Sequence, residues 1–153
     1  MKNLRRSDRV MDNEQAIALL IRGDYGIMST VDADGQPYGV PLNYIYQDGC
    51  IYFHAARDGY KIDNIKKNNR VSFCVVGETS ILGEQLTTKY ESVISFGIAS
   101  IAAGEEKMKA LIGLLEKYTP EFMEIGIKSI EQTFDRVEVV KIKVEHICGK
   151  AHR

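Results

Sequence analysis

The stretch YESVISFGIASIAA, Tyr90 to Ala103, limits the possible folds more than any other part of the chain. Read as a strand, it carries apolar or small residues on both pleat faces: Val93, Gly97, Ala99 and Ile101 on one, Ile94, Phe96, Ile98 and Ala102 on the other. A strand in a small antiparallel domain ordinarily keeps one face in water. This one is expected to be covered on both, by a closed barrel with helices outside or by a second subunit.

The rest of the chain supplies the parts of such a barrel. Asp12, with Gln15 three places on, starts a short helix whose stripe Ala16, Leu19, Leu20 stops at Gly23. YGIMSTV reads as a first strand and DADGQP as a tight turn. YGVPLNYIYQ reads as a second strand, joined through the hairpin signal Asp48-Gly49 to a third, CIYFHAA. Pro41 places part of the second strand at an edge, at a bulge, or facing something other than a neighbouring strand. RDGYKIDNIKKNN then forms a helix, with Asp58 as a cap and Ile62, Ile65 and the stem of Lys66 on one face. VSFCVVG is a fourth strand, and a polar connection leads to the long fifth, beginning near Lys89. EEKMKALIGLLEKY places Met108, Leu111, Ile112, Leu115 and Tyr118 at helical spacing, a core stripe. A Pro-initiated helix follows from Glu121, and VVKIKVEHI alternates as a closing strand. The expectation is a mainly β (α+β) fold: a six-stranded antiparallel split β-barrel with peripheral helices. It forms one domain over 1–153, with residues 1–11 as a flexible N-terminal arm.

Length and charge exclude several function classes. The 153 residues suit one domain rather than an enzyme with a separate cofactor module. The net charge of -1 gives no global field to gather nucleic acid or an anionic membrane. No apolar run reaches the roughly 20 residues of a membrane span, and the basic N-terminus lacks a signal peptide's apolar core, so a cytoplasmic location is expected. Cys50, Cys74 and Cys148 form no C-x-x-C pair and read as buried free thiols. With His54, His146 and His152 they make no metal-ligand spacing, so no metal is expected. G-x-S-x-G, a P-loop and G-x-G-x-x-G are all absent, which removes the nucleophile-elbow hydrolase and Rossmann readings.

One block carries chemistry. In CIYFHAARDGYKIDNIKKNN a strand ends at His54-Ala55-Ala56, where small side chains let a ligand approach the backbone, and a helix begins at once. Arg57 and Lys61 add two cations at the positive end of that helix, the wrong end for them by roughly 0.3–1 kcal/mol each. A resident anion such as a phosphate would offset that cost. The same pattern also suits solvated surface charges. His54 fits either a hydrogen-bonded strand-end residue or a donor to phosphate or substrate.

The order PYGVPLNYIYQDGCIYFHAARDGYKIDNIKKNNRVSF, followed by YESVISFG, resembles the split-barrel FMN-binding proteins related to pyridoxamine 5'-phosphate oxidase, most closely their nitroimidazole-resistance branch. The resemblance runs from about Asp12 to Lys150 and is most specific in His54-x-x-x-x-Gly59-x-Lys61; Gly149-Lys150 after the last strand adds to it. It implies a homodimer with FMN at the interface, held by both subunits. By similarity Lys61 contacts the FMN phosphate, while His54, Ala55 and Ala56 flank the phosphate and ribityl chain. The backbone of Val40, Pro41, Leu42 and Asn43 reads the ring edge, and Ser92 reaches the flavin of the neighbouring subunit. The phosphate-binding Arg-Lys pair of true oxidases is Tyr60-Lys61 here, so Arg57 or His54 substitutes for one cation. Their Trp- and Arg-rich C-terminal segment is missing, which argues against vitamin B6 oxidation. The expected function is an FMN-dependent oxidoreductase, nitroreductase-like, passing electrons from NAD(P)H or another donor to small planar acceptors such as nitroimidazoles or quinones, with His54 orienting or protonating the acceptor. A non-catalytic FMN carrier or sensor and a haem-binding barrel of the same family are the alternatives.

Overall fold

A computed structural model describes residues 3–153. A single antiparallel sheet of seven strands organises the molecule, with spatial order β2-β1-β5-β6-β7-β4-β3. The strands are β1 Gly26–Val31, β2 Pro37–Leu42, β3 Ile45–Gln47, β4 Cys50–Ala56, β5 Arg70–Leu82, β6 Thr87–Ala102 and β7 Val137–His152. Four helices accompany them: α1 Asn13–Arg22, α2 Tyr60–Lys67, α3 Gly104–Tyr118 and α4 Met123–Thr133. Among the described residues no helix is long and apolar enough to cross a membrane.

Seven strands replace the expected six because YGVPLNYIYQ divides at Asn43-Tyr44. β2 pairs with β1 and β3 pairs with β4. The backbone of Tyr44 is taken by α3 instead of a strand: its N–H donates to the Tyr118 hydroxyl at 3.0 Å, and its carbonyl accepts from Lys117 Nζ at 3.0 Å. β2 is an edge strand, where Pro41, paired with Ile27, breaks no ladder on its outer side. The barrel is thus split between β2 and β3.

The turns follow their local chemistry. Asp32 Oδ1 accepts from the N–H groups of Asp34 and Gln36 at 2.9 and 2.8 Å, folding the β1–β2 hairpin. Asp48 and Gly49 both take positive φ, 52° and 75°, the requirement of a two-residue turn between β3 and β4. Asp12 caps α1, its Oδ1 accepting from Gln15 N–H at 2.8 Å.

Two expectations about coverage change. The strand buried on both faces is β4: Ile51, Phe53 and Ala55 enter the core inside the barrel, while Cys50 and Tyr52 pack under α3 and α4. β6 is covered unevenly. Its inner face, Val93, Ser95, Gly97 and Ala99, is buried, but Ser92, Phe96 and Ile98 are half-buried and Ile94 and Ile101 are 39% and 42% exposed. In α3 the buried face holds Lys107, Ala110, Leu111, Gly113 and Leu114, while Met108, Ile112, Leu115 and Tyr118 lie at its margins. That rotation lets α3 touch the sheet and α4 together.

The strands also run further than their apolar cores suggest. β5 and β6 continue as a hairpin past an irregularity between Val76 and Thr79, turning through Gly83–Gln85 and a left-handed Leu86. The polar connection is therefore mostly strand. β7 reaches His152, so Gly149-Lys150 lies within it rather than after it. Of the expected arm 1–11, Met1 and Lys2 fall outside the described residues; Val10 bridges to Lys150, and Met11 is 6% exposed with its N–H on the Gly149 carbonyl at 3.0 Å.

Candidate functional site

His54, Ala55, Ala56, Arg57 and Lys61 lie where β4 hands over to α2. α2 is only eight residues long and depends on packing to persist. Ile62 and Ile65, 1% and 5% exposed, anchor it in the core at about 2 kcal/mol each. The Asn64 amide donates to Thr30 Oγ1 at 2.9 Å, a buried bond that ties the helix to β1. At its first residue the Tyr60 hydroxyl donates to Asp32 Oδ2 at 2.6 Å, and its ring meets Tyr38 of β2 edge-on at 4.6 Å. That hydrogen bond holds the Asp32 carboxyl below the usual carboxylate range and raises the Tyr60 phenol.

The start of α2 lacks a side-chain cap. Asp58, the expected cap, does not serve; the N-cap is Gly59 at φ 139°, a conformation that side chains disfavour, and nothing lies within 4 Å of where a Cβ would stand. Among the described residues no side chain caps the first N–H groups of the helix. Lys61 is half-buried and makes no ion pair among the described residues. Arg57 differs: its Nε lies 3.6 Å from Glu138 Oε1 on β7, so its charge is partly neutralised.

Across the split, β2 ends close to β4. Asn43 lies in the break before β3, and His54 lies on β4 two residues beyond Tyr52, the partner of Ile45. Both residues line one cavity. Val40 and Leu42 are half-buried while Pro41 and Asn43 are exposed, leaving this strand end accessible. The break itself is pinned from α3. Lys117 Nζ donates to Gly23 O at 2.6 Å and to Tyr44 O at 3.0 Å, 4.1 Å above the Tyr44 ring. Tyr118 Oη donates to Asp24 O at 2.6 Å, and Asn43 Nδ2 donates to the same carbonyl at 3.0 Å. Burial lowers the Lys117 ammonium to about 8 and raises the Tyr44 phenol, whose hydroxyl donates to Leu20 O at 2.5 Å. Sequence reading gave Tyr118 a packing role only and passed over Lys117, because nothing local marks a residue whose partners are loop carbonyls distant in sequence.

Ser92 stands apart from the other site residues. It pairs with Val76 and Lys150, whereas the β6 residue level with His54 is Ala102, through their shared partner Val139. Ten residues of strand separate the two, roughly 33 Å. Within one chain Ser92 does not meet the β4–α2 junction.

A second feature adjoins the site. Between α3, α4 and the seam of the split lies a cavity of about 520 Å³, reached by His54 and Asn43 and otherwise walled by residues such as Leu111, Leu115, Ile125 and Ile130. No sequence motif marks it; around α4 it leaves Phe122 57% and Ile125 68% exposed.

Comparison with known proteins fits this architecture. A Bacteroides thetaiotaomicron protein provisionally assigned to 5-nitroimidazole antibiotic resistance superposes with a TM-score of 0.76 at 23% identity, over 93% of this chain and 86% of that one. An FAD-binding protein of Mesorhizobium loti matches at 0.66 and 23%, over 95% and 98%. An FAD- and heme-binding protein of Mycobacterium smegmatis matches at 0.81 and 14%, over 93% and 72%. At these identities the likeness is one of fold. No curated protein matches the chain. The family model described as pyridoxamine 5'-phosphate oxidase, however, matches residues 12–151, nearly the whole of the described barrel, and the chain belongs to that family.

Proposed function

We propose that the chain is a flavin-dependent oxidoreductase that holds FMN at the β4–α2 junction of a two-copy assembly. One observation carries this reading: among the described residues Lys61 stands without a carboxylate partner beside an uncapped helix start, with open space over Gly59. A dianionic phosphate fits that arrangement, since it accepts from the free N–H groups and is attracted by the helix dipole and the ammonium. Exposed Ala56, with the backbone of Ala55, leaves room for the ribityl chain, and the accessible end of β2, Val40 to Asn43, offers backbone groups to the ring edge. The FAD-binding neighbours support a flavin over other phosphate ligands.

The two-copy arrangement rests on Ser92 and the outer face of β6. Val76 opposite Ser92 is 56% exposed and Ile94 39%, an apolar surface that a second copy would cover. Ser92 could then reach the partner's flavin, which it cannot do within its own chain.

When bound, the flavin supplies the two-electron chemistry, and the protein supplies position, dryness and electrostatics. The overall reaction balances as a reduced nicotinamide plus a proton and a quinone giving oxidised nicotinamide and the hydroquinone. His54, exposed on β4 where the strand faces the seam, is placed to orient the acceptor or to hand it that proton.

Absorbance of the purified chain, FMN titration, and anaerobic addition of NADH or NADPH with a nitroimidazole or quinone test the reading in turn. Flavin bands followed by donor-dependent bleaching and acceptor-dependent recovery are expected. A colourless chain that ignores added FMN would overturn it, as would a Soret band; bound flavin that no donor bleaches would make the protein a carrier.

A further inference from the structure

The cavity between α3 and α4 has a property that the junction lacks: none of its lining residues is Asp, Glu, Lys or Arg. In a chain that is 27% charged, a wall without one formal charge selects its occupant. Most of its polar groups are already engaged. Thr119 Oγ1 donates to Leu115 O at 3.2 Å, Thr133 Oγ1 to Ser129 O at 2.8 Å, and the Asn43 amide to Asp24 O. Only His54 and Ser129 have side chains without a hydrogen bond among the described residues. At about 520 Å³ the space has the size and the apolar character of a drug-sized ligand site.

We propose that this cavity binds a neutral, largely apolar ring compound with one or two polar atoms, and that it rejects phosphate-bearing and sulfonated ligands. An anion brought here would shed water without meeting a Lys or Arg side chain in the wall. A pyridine dinucleotide, with its pyrophosphate, is disfavoured on the same ground. A ring compound would instead cover Phe122 and Ile125 and direct its polar atom to His54 or Ser129. That this ligand is the electron acceptor rests on the flavin reading; the binding itself does not, because the walls belong to the protein alone.

A matched pair of probes without redox chemistry tests it: naphthol and naphthalene sulfonate, titrated at neutral pH against the full chain, with and without added FMN. Calorimetry and the methyl resonances of Leu111, Leu115, Ile125 and Ile130 report binding. Naphthol is expected to bind at least ~10-fold more tightly than the sulfonate, with shifts confined to those methyl groups. Ser129→Lys, at an exposed position of α4, should reverse the order by a similar factor, since it puts one cation on the wall. Equal binding of both probes, or no binding of naphthol, overturns the proposal. So do methyl shifts that follow protein concentration alone, which would make the cavity a surface for a second copy. Naphthol binding without FMN binding would defeat the flavin reading and leave the cavity standing; FMN binding without naphthol binding would do the reverse.

Discussion

The β4–α2 junction and the α3–α4 cavity share His54 and Asn43 as a boundary yet are built in opposite ways. At the junction, cations and free N–H groups come from consecutive residues, Ala55 to Lys61, so the local order of the chain creates the field. The cavity wall holds no Asp, Glu, Lys or Arg; the successive elements from α3 to the start of β7, residues 111–137, close it over His54 and Asn43. On the proposed reading, the anionic end of the cofactor goes where the backbone itself is exposed and an apolar ring goes where packing stops short of closing. Neighbouring regions would then hold the cofactor and the acceptor without competing for them.

A change that damages both regions bounds the comparison. Gly97 lies at the register irregularity between β6 and β7, where a Cβ would overlap the Lys143 carbonyl oxygen. Because β7 carries β4 and hence both regions, Gly97→Ala should cost about 3 kcal/mol, read as a lower urea midpoint, and weaken FMN and naphthol binding together. Lys61→Glu should separate them. Exchanging a cation for an anion beside a phosphate dianion is expected to weaken FMN binding by at least roughly 100-fold while leaving the urea midpoint and naphthol affinity unchanged. Retained yellow colour in that variant would move the phosphate elsewhere.

Asn64→Ala sharpens the same contrast through position rather than charge. Thr30 is 1% exposed and would lose the Asn64 amide, a loss of about 2 kcal/mol in stability. α2 would loosen, so FMN binding should fall with it, and naphthol binding should hold. If FMN affinity survives Asn64→Ala intact, the helix start is not what holds the phosphate.

Legibility in the sequence followed the same division. The helices and hairpins were readable because Asp12, Asp32 and Asp48-Gly49 act on neighbours within a few residues. Nearly all strands were visible as apolar runs. Their true ends were not, since β5 and β7 are prolonged by pairing with β6 rather than by their own composition. The break at Asn43-Tyr44 was hidden for a related reason: Lys117 and Tyr118 take up the Tyr44 backbone, and nothing between Pro37 and Gln47 announces them. Among site residues, Ala55, Ala56 and Lys61 are brought together as their spacing suggested. Arg57 is drawn toward Glu138, and Ser92 stands a strand's length away, both decided by register across β7 and β6. The double coverage expected of β6 belongs to β4, because alternation shows that a face is apolar and not what will cover it.

The smallest effect concerns the pin between the two regions. Lys117 ordinarily titrates near 10.5, and burial lowers it to about 8 in the fold. Between those values the unfolded chain binds a proton that the native chain does not, so stability rises as pH climbs from about 8 toward 10.5; below 8 both states are charged and the gain is absent. A neutral amine still has two N–H donors for the carbonyls of Gly23 and Tyr44, so the pin survives deprotonation. Because the side chain is only half-buried, solvent screening reduces the gain to about 1 kcal/mol. Melting curves of the native chain and Lys117→Met across this range isolate the effect, since tyrosines and thiols that titrate in both proteins cancel in the difference. The native chain's advantage should widen with rising pH. A flat difference would mean that the two carbonyls and the Tyr44 ring hold Lys117 as a full ammonium, placing a permanent positive charge at the seam and making the boundary between the junction and the cavity less neutral than its lining implies.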